Sequence, residues 1–363
     1  MPRILLPISK SIANRLLILQ AIHGDGLLTV SADMPDDVQL LHHALTTLKT
    51  FRTSETISTP HLDVANCGTA MRFLTAYCAQ LEGQTTILEG VARMHHRPIG
   101  QLVDALRSIG ADIEYLGEEG FPPLRIAGKA LDKSQPITLN HPQSTQFVSA
   151  LLLIGANVQT NSTSPYITLT RSLIEQYISS RSQEVDCERN IVDIVVKKTL
   201  ERDWSAAAFW YEYVALHGGE ITLPGLSRDS LQGDKVVADI FAHLGVHTTY
   251  TPEGIILSPH RLIAILPFAY NFSSCPDLYP AVALTCERLG ITLHATGVES
   301  LPLKESDRLR AVAEHRTDAD HRMAMALMIA GYKVDDTACI SKSYPQFLEQ
   351  FRQLQESNHS NIE

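Results

Sequence analysis

Apolar residues follow two rhythms along this chain, short runs of strand type and longer stretches with helical spacing, and the two alternate from one end to the other. The alternation predicts an α/β (α+β) architecture. One module recurs. In LVDALRSIGADIEYL (102–116) and VVADIFAHLGVHTTY (236–250), a helix-period stretch ends at a glycine and a strand-type run follows. Gly110 and Gly245 fall where a helix needs a left-handed residue after its last turn before the chain reverses. LLHHALTTLKTFRT (40–53) is a weaker third copy without the glycine. Recurrence in both halves predicts two domains assembled from one βα unit. Residues 129–146 and 178–203 are polar or charged and read as linkers or surface excursions, with IVDIVV (191–196) a strand inside the second.

The opening stretch ILLPISKSIANRLLILQAI (4–22) breaks the apolar rhythm in a telling way. A strand-type run stops at Pro7, and an apolar helix pattern starts with Ser11 as its cap, carrying Lys10, Asn14 and Arg15 at the handover. Free N–H groups at a helix start, joined by two cations, make an anion site. The alternative is a capped helix whose Lys and Arg point to solvent.

Bulk composition narrows the ligand. At 363 residues and 44% hydrophobic, the chain can fill two cores. Its 30 basic against 40 acidic residues leave a net charge of -10, which excludes broad affinity for nucleic acid or an anionic membrane. An anionic ligand therefore needs cations gathered locally. The six cysteines are dispersed and never spaced C-x-x-C, so they read as reduced thiols and not as a disulfide frame or zinc site. No apolar stretch approaches the ~18 residues of a membrane span. Pro7 and Lys10 interrupt the N-terminus too early for a secretion signal, so a cytoplasmic protein is expected.

Further short segments carry candidate chemistry. Asn66-Cys67-Gly68-Thr69-Ala70-Met71-Arg72 places small residues and an arginine ahead of a helix, with Gly68 open to close backbone approach and Cys67 a small apolar filler. Arg93 and Arg97 flank His95 and His96 before Pro98, a loop suited to a bidentate phosphate or carboxylate contact. The two histidines lack a third ligand and read as solvated. Lys304-Glu305-Ser306-Asp307-Arg308 mixes both signs, Asp320-His321-Arg322 opens the apolar stretch MAMALMIA, Asp277 precedes another apolar helix, and Lys342 lies in a loop.

Taken in order, KSIANR, NCGTAMR, RMHHRPI, STQF, SPYI, DWSAA, LQGD, PD, LKESDRL, DHRMAMA and CISKSYP resemble the 5-enolpyruvylshikimate-3-phosphate synthase family from Leu5 to about Phe351. The resemblance implies two similar domains of repeated βαβαββ units, 9–200 on the shikimate-phosphate side and 1–8 plus 201–363 carrying much of the phosphoenolpyruvate site, with the active site in the cleft between them. It implies transfer of the enolpyruvyl group of phosphoenolpyruvate to the 5-hydroxyl of shikimate 3-phosphate, in the shikimate pathway to aromatic amino acids. On the matched positions, Lys10 touches both substrates, while Ser11 and Arg15 hold the shikimate side. Ser144, Thr145 and Gln146 line the shikimate phosphate site, joined by Thr163 where the family has serine, and Tyr166 packs against the ring. Gly68, Arg97, Arg308, Arg322 and Lys342 hold phosphoenolpyruvate. Asp277 takes the 5-hydroxyl proton, Lys304 positions the shikimate, and Glu305 delivers a proton to the methylene carbon. No metal, organic cofactor or nucleic acid is implied, and a monomer is expected.

The chemistry of two phosphorylated anions agrees with that assignment. Lys10, Arg15, Arg72, Arg97, Lys304, Arg308, Arg322 and Lys342 are eight cations proposed for one cleft in a net-acidic chain. Addition to an enol ether needs an acid at carbon and a base at the hydroxyl, so two carboxylates in different settings are the minimum.

The chain also departs from the family pattern. The family usually carries an extra strand before the first motif, whereas this sequence starts at Met1-Pro2-Arg3, and Ser300 and Pro302 replace polar family positions upstream of Lys304. Only RAVAEHRTDA (310–319) joins LKESDRL to DHRMAMA, so one repeat is expected to be truncated near 310–320, leaving a strand edge exposed and core uncovered. Two other readings stay open, a UDP-N-acetylglucosamine enolpyruvyl transferase on the same scaffold and a degenerate copy without catalysis. KSIANR and the STQF segment weigh against the first, and the retained charged positions against the second.

Overall fold

The computed structural model describes residues 1–53, 58–183, 200–262 and 267–359. The chain divides into an N-terminal unit, Ser11–Ser31 with Asp37–Leu200, and a C-terminal unit, Met1–Lys10 with Ala32–Asp36 and Glu201–Glu363.

The N-terminal unit takes its elements in the order α1 (Lys10–His23), α2 (Asp36–Thr53), β1 (His61–Asp63), α3 (Gly68–Ala79), β2 (Thr85–Glu89), α4 (Gly100–Ser108), β3 (Asp112–Tyr115), β4 (Leu124–Ala127), β5 (Ile137–Thr138), α5 (Thr145–Leu153), β6 (Val158–Gln159) and α6 (Pro165–Gln183). Strands order β1-β2-β4-β3, with β1 parallel to β2 and the other pairs antiparallel, and β5 pairs in parallel with β6. Helix α1 is apolar on every side and buries all residues from Ile12 to Gln20, as an all-round hydrophobic helix must. Gly110 sits at φ 104° between α4 and β3, the left-handed residue expected there.

The C-terminal unit continues with α7 (Trp204–His217), β7 (Ile221–Pro224), α8 (Val237–His243), β8 (Val246–Thr251), β9 (Gly254–Pro259), β10 (Phe268–Asn271), α9 (Tyr279–Arg288), β11 (Leu293–Thr296), α10 (Arg308–Glu314), α11 (His321–Ile329) and α12 (Phe347–His359). Strands β7-β9-β8 form an antiparallel sheet, and β10 pairs in parallel with β11. Helix α7 is the core helix, buried from Trp204 to Val214. Its Trp210 packs on Tyr344 and Phe347 and donates an indole hydrogen bond to the Tyr344 hydroxyl at 3.1 Å.

Several local expectations are corrected. The apolar run before Pro7 forms no regular strand; isolated bridges link Arg3 to Thr222 and, just past the proline, Ile8 to Arg202. Helix α1 starts at Lys10, which puts Ser11 inside the first turn and not at the cap. Segment 129–146 contains β5 and the start of α5, and α6 extends through 178–183 in what read as an excursion. The strand read at 191–196 lies outside the described residues.

At the shortened joint, α10 ends in left-handed His315 (φ 52°), and Asp318 (φ 46°) and Ala319 (φ 56°) turn the chain straight into α11. Buried Thr317 pins this turn to Asp335. Among the described residues β11 pairs with β10 alone. Side chains cover the core beside it. The His315 ring stacks on Tyr332 at 3.9 Å, both bond the Glu287 carboxylate, and half-buried Leu293, Ala295, Val298 and Tyr332 pack on the core.

Candidate active site

In the C-terminal unit the charged residues of three separate sequence segments meet around Arg308. Asp307 caps α10 by accepting from the Arg310 N–H at 3.2 Å, which fixes Arg308 as the helix's first residue, 1% exposed. Its guanidinium donates to Asp277 at 2.7 Å, to Glu305 at 3.1 Å and to Asp320 at 2.8 Å. Asp320 in turn caps α11 by accepting from the Arg322 N–H at 2.9 Å and accepts from the Ser306 hydroxyl at 3.1 Å. One arginine thereby ties both carboxylates singled out as acid and base to the start of a buried helix. Burial alone would loosen the Arg308 proton, but Asp320, Asp277 and Glu305 outweigh it and hold it more firmly than in water.

Each of the two carboxylates also has cations of its own. Asp277 accepts from Lys304 at 3.2 Å and from Arg322 at 3.0 Å. Glu305 accepts from Lys342 at 3.1 Å. Burial works to raise the Asp277 pKa, yet Arg322, Lys304 and Arg308 together hold it well below the usual carboxylate range. Asp234, of the LQGD motif, accepts from the Ser205 hydroxyl and is pushed up to about 6, by burial first and by the Asp277 charge second. His321, 1% exposed, is held neutral by burial and then by the nearby charges of Lys10 and Arg322. Lys10 is thus within electrostatic reach of this cluster.

The N-terminal unit holds a second cluster, built on the starts of α1, α3, α5 and α6. Ser144 caps α5, accepting from the Gln146 N–H at 3.3 Å, and Gln146 donates to Thr69 of α3 at 2.9 Å. That bond joins the STQF segment to the start of α3, which carries Gly68. Cys67, read as filler, also caps α3 through its sulfur, accepting from Ala70 N–H at 3.3 Å. Arg97 is buried and donates to the Asn66 carbonyl at 3.1 Å, while Arg72 lies over the Phe147 ring at 5.7 Å. A Cβ placed on Gly68 would fall 2.2 Å from Arg72 NH1 and 2.6 Å from Arg97 NH2. Glycine is therefore what lets two guanidinium groups crowd one stretch of backbone.

Arg15 is buried at 3% exposure, donating to Ser11 O, Ser149, Thr170 and the Tyr166 carbonyl, with its charge over the Phe73 ring at 5.4 Å. It does not point to solvent. Tyr166 is half-buried at the start of α6, Thr145 is the first residue of α5, and Thr163 is exposed in the loop before α6. Sequence reading missed the roles of Thr69, Ser149, Thr170 and Asp320. Only Asp320 had a local signal, an acidic residue directly before an apolar helix.

Taken together, one unit brings Asp277, Lys304, Glu305, Arg308, Arg322 and Lys342 into contact, and the other assembles Arg15, Gly68, Arg97, Ser144 and Gln146. No group of three or more His, Cys, Asp or Glu suited to a metal occurs among the described residues, and no described helix is long and apolar enough to cross a membrane.

Comparison with known proteins gives one consistent result. The family model described as EPSP synthase (3-phosphoshikimate 1-carboxyvinyltransferase) matches residues 3–315 and 312–351, two segments that meet at the shortened joint. A 3-phosphoshikimate 1-carboxyvinyltransferase of Bacteroides fragilis is 38% identical over 398 residues, covering 96% of this chain and 93% of its own. Another from Cellvibrio japonicus is 32% identical over 412 residues, covering 96% of each. The fold matches a solved EPSP synthase of Acinetobacter baumannii with a TM-score of 0.59 at 19% identity, over 97% of this chain and 95% of that one. The chain belongs to the EPSP synthase family.

Proposed function

We propose that this chain transfers the enolpyruvyl group of phosphoenolpyruvate to the 5-hydroxyl of shikimate 3-phosphate and releases phosphate, as a step toward the aromatic amino acids. The observation that carries this reading is the Arg308 fork, which holds two carboxylates side by side while giving each its own cations. The reaction needs that asymmetry. Addition forms a bond from the 5-oxygen to C2 of phosphoenolpyruvate and puts a proton on C3, and elimination removes a C3 proton as phosphate leaves C2. Glu305 is assigned the proton at carbon and Asp277 the proton of the hydroxyl.

Ligation state sets the basicity of Asp277. Three cations hold its pKa low, which makes it a weak base on its own. When substrate phosphate and carboxylate groups share Lys304 and Arg322, less positive charge is directed at Asp277, and its basicity rises as the hydroxyl arrives. Lys10 is assigned a catalytic place in contact with both substrates, and Gly68, Arg97, Arg308, Arg322 and Lys342 are assigned to phosphoenolpyruvate. Ser11, Arg15, Ser144, Thr145, Gln146, Thr163, Tyr166 and Lys304 are assigned to shikimate 3-phosphate. Acid, base and anion clamps are the whole requirement, and we assign no metal or organic cofactor. The five described cysteines form no disulfide, as expected of a reducing compartment, and we assign the enzyme to the cytoplasm as a monomer.

The test is phosphate release on mixing the purified protein with shikimate 3-phosphate and phosphoenolpyruvate. Release only when UDP-N-acetylglucosamine replaces the shikimate acceptor would move the chain to the other enolpyruvyl transferase, and release with neither would make it a non-catalytic copy.

Two substitutions read out the phosphoenolpyruvate side. Gly68→Ala displaces the ends of two flexible side chains and not backbone, so the protein folds, but the KM for phosphoenolpyruvate rises ~10-fold or more with that for shikimate 3-phosphate little changed. Arg97→Ala removes a charge-assisted donor outright, and its phosphoenolpyruvate KM rises by about 10- to 100-fold. Steady-state kinetics with each substrate varied in turn checks both. Equal effects on the two KM values would contradict the assignment.

A further inference from the structure

We infer that Thr170 and Ser149 are positioning residues for Arg15, holding its guanidinium so that one N–H and an unneutralised positive charge are left for an anionic group of the shikimate substrate. This rests on the functional reading above and extends it to two hydroxyls without a charge or motif to mark them.

Every hydrogen-bond partner of Arg15 among the described residues is neutral. Nε donates to Thr170 Oγ1 at 2.7 Å, and NH1 donates to the Ser11 carbonyl at 2.8 Å. NH2 donates to Ser149 Oγ at 3.2 Å and to the Tyr166 carbonyl at 3.4 Å. A guanidinium has five N–H bonds. These contacts use four and leave one, on NH1.

The hydroxyl pair fits this task by proton count. Thr170 lies four residues after Tyr166 in α6 and reaches back to its carbonyl at 2.7 Å. The single hydroxyl proton spent there leaves Thr170 facing Arg15 with lone pairs. Ser149 Oγ, at 2.9 Å, is the alternative acceptor for that same Thr170 proton and also accepts from Arg15 NH2, so Thr170 faces Arg15 with lone pairs whichever acceptor its proton serves. The arrangement bolts the α1 arginine to α5 and α6, and all three helices start beside residues assigned to shikimate 3-phosphate. A buried arginine with a carboxylate partner would have its charge cancelled. Hydroxyls and carbonyls fix the same side chain without cancelling it. Burial lowers the Arg15 pKa to about 10, which still leaves it protonated at neutral pH.

The experiment compares wild type, Thr170→Val, Thr170→Ser and Ser149→Ala, using shikimate 3-phosphate as the calorimetric ligand and both substrates in steady-state kinetics. Valine keeps the shape of threonine but cannot accept from Nε. We expect Thr170→Val to raise the Kd and KM for shikimate 3-phosphate ~10-fold, with the KM for phosphoenolpyruvate and kcat at saturation within about threefold of wild type. Thr170→Ser restores binding, and Ser149→Ala shows the same selective loss, which keeps the test decisive if the valine variant does not fold. An unchanged Kd in the variants, equal rises in both KM values, or no rescue by serine overturns the inference while wild-type binding stands. Failure of the wild-type protein itself to bind shikimate 3-phosphate overturns the functional reading, and this inference with it.

Discussion

Glu305→Gln lowers turnover by about two to four orders of magnitude, the range expected when a positioned proton donor is lost, while shikimate 3-phosphate binds almost as well as to wild type. The substitution keeps the size of the side chain and one acceptor oxygen. It removes the ability to deliver a proton to the methylene carbon and to take it back during elimination. Glu305 accepts from two cations, Arg308 NH2 at 3.1 Å and Lys342 Nζ at 3.1 Å. Removing its negative charge leaves those cations freer to bind an anion, so the KM for phosphoenolpyruvate should stay level or fall. A lower kcat with no rise in either KM is the signature of a group that acts in the transition state. Phosphate release over time measures the first quantity and calorimetry with shikimate 3-phosphate the binding. Near wild-type turnover in the variant would remove Glu305 from the mechanism.

What could be read from the sequence was local or ordered. Gly110 and Gly245 marked helix ends because the left-handed turn they serve involves only neighbouring residues, and both take positive φ, 104° and 93°. The motif order carried the family because it survives without any knowledge of contacts. The start of α1 was misplaced by two residues because Ser11 has the side chain of a cap, although the helix already begins at Lys10. Contacts between distant segments were beyond the pattern. Nothing near Asp320 announces that it will bind Arg308, since the bond forms only through a turn built on left-handed residues that include Asp318 and Ala319. Thr69, Ser149 and Thr170 are ordinary helix hydroxyls until the fold sets them beside Gln146 and Arg15. The truncated joint was legible as a missing length, whereas its remedy, an aromatic stack of His315 on Tyr332 fastened by Glu287, depends on residues 17 apart meeting on one surface.

Asp277→Asn should cut turnover about as deeply and, unlike the Glu305 change, weaken the fold in a pH-dependent way. Asp277 accepts from Arg308, Lys304 and Arg322, and its side chain is 19% exposed. Asparagine retains one acceptor oxygen, but its amide nitrogen meets a guanidinium donor, and three cations lose the carboxylate that balanced them. Breaking a buried pair costs about 3–5 kcal/mol; with partial exposure and a surviving acceptor, a loss of about 1–3 kcal/mol is expected near neutral pH. The sign with pH follows from linkage. The cations depress the Asp277 pKa in the folded state, so its contribution to stability is fully present above the unfolded carboxylate value of about 3.9 and is lost as pH falls below that toward the folded value. Wild type and variant should therefore differ most in denaturant midpoint at neutral pH and converge as the solution is acidified below about pH 4. A constant difference across that range would show that the cations do not hold the carboxylate in its charged form, and the same three contacts could then no longer explain how substrate binding turns Asp277 from a clamped anion into a base.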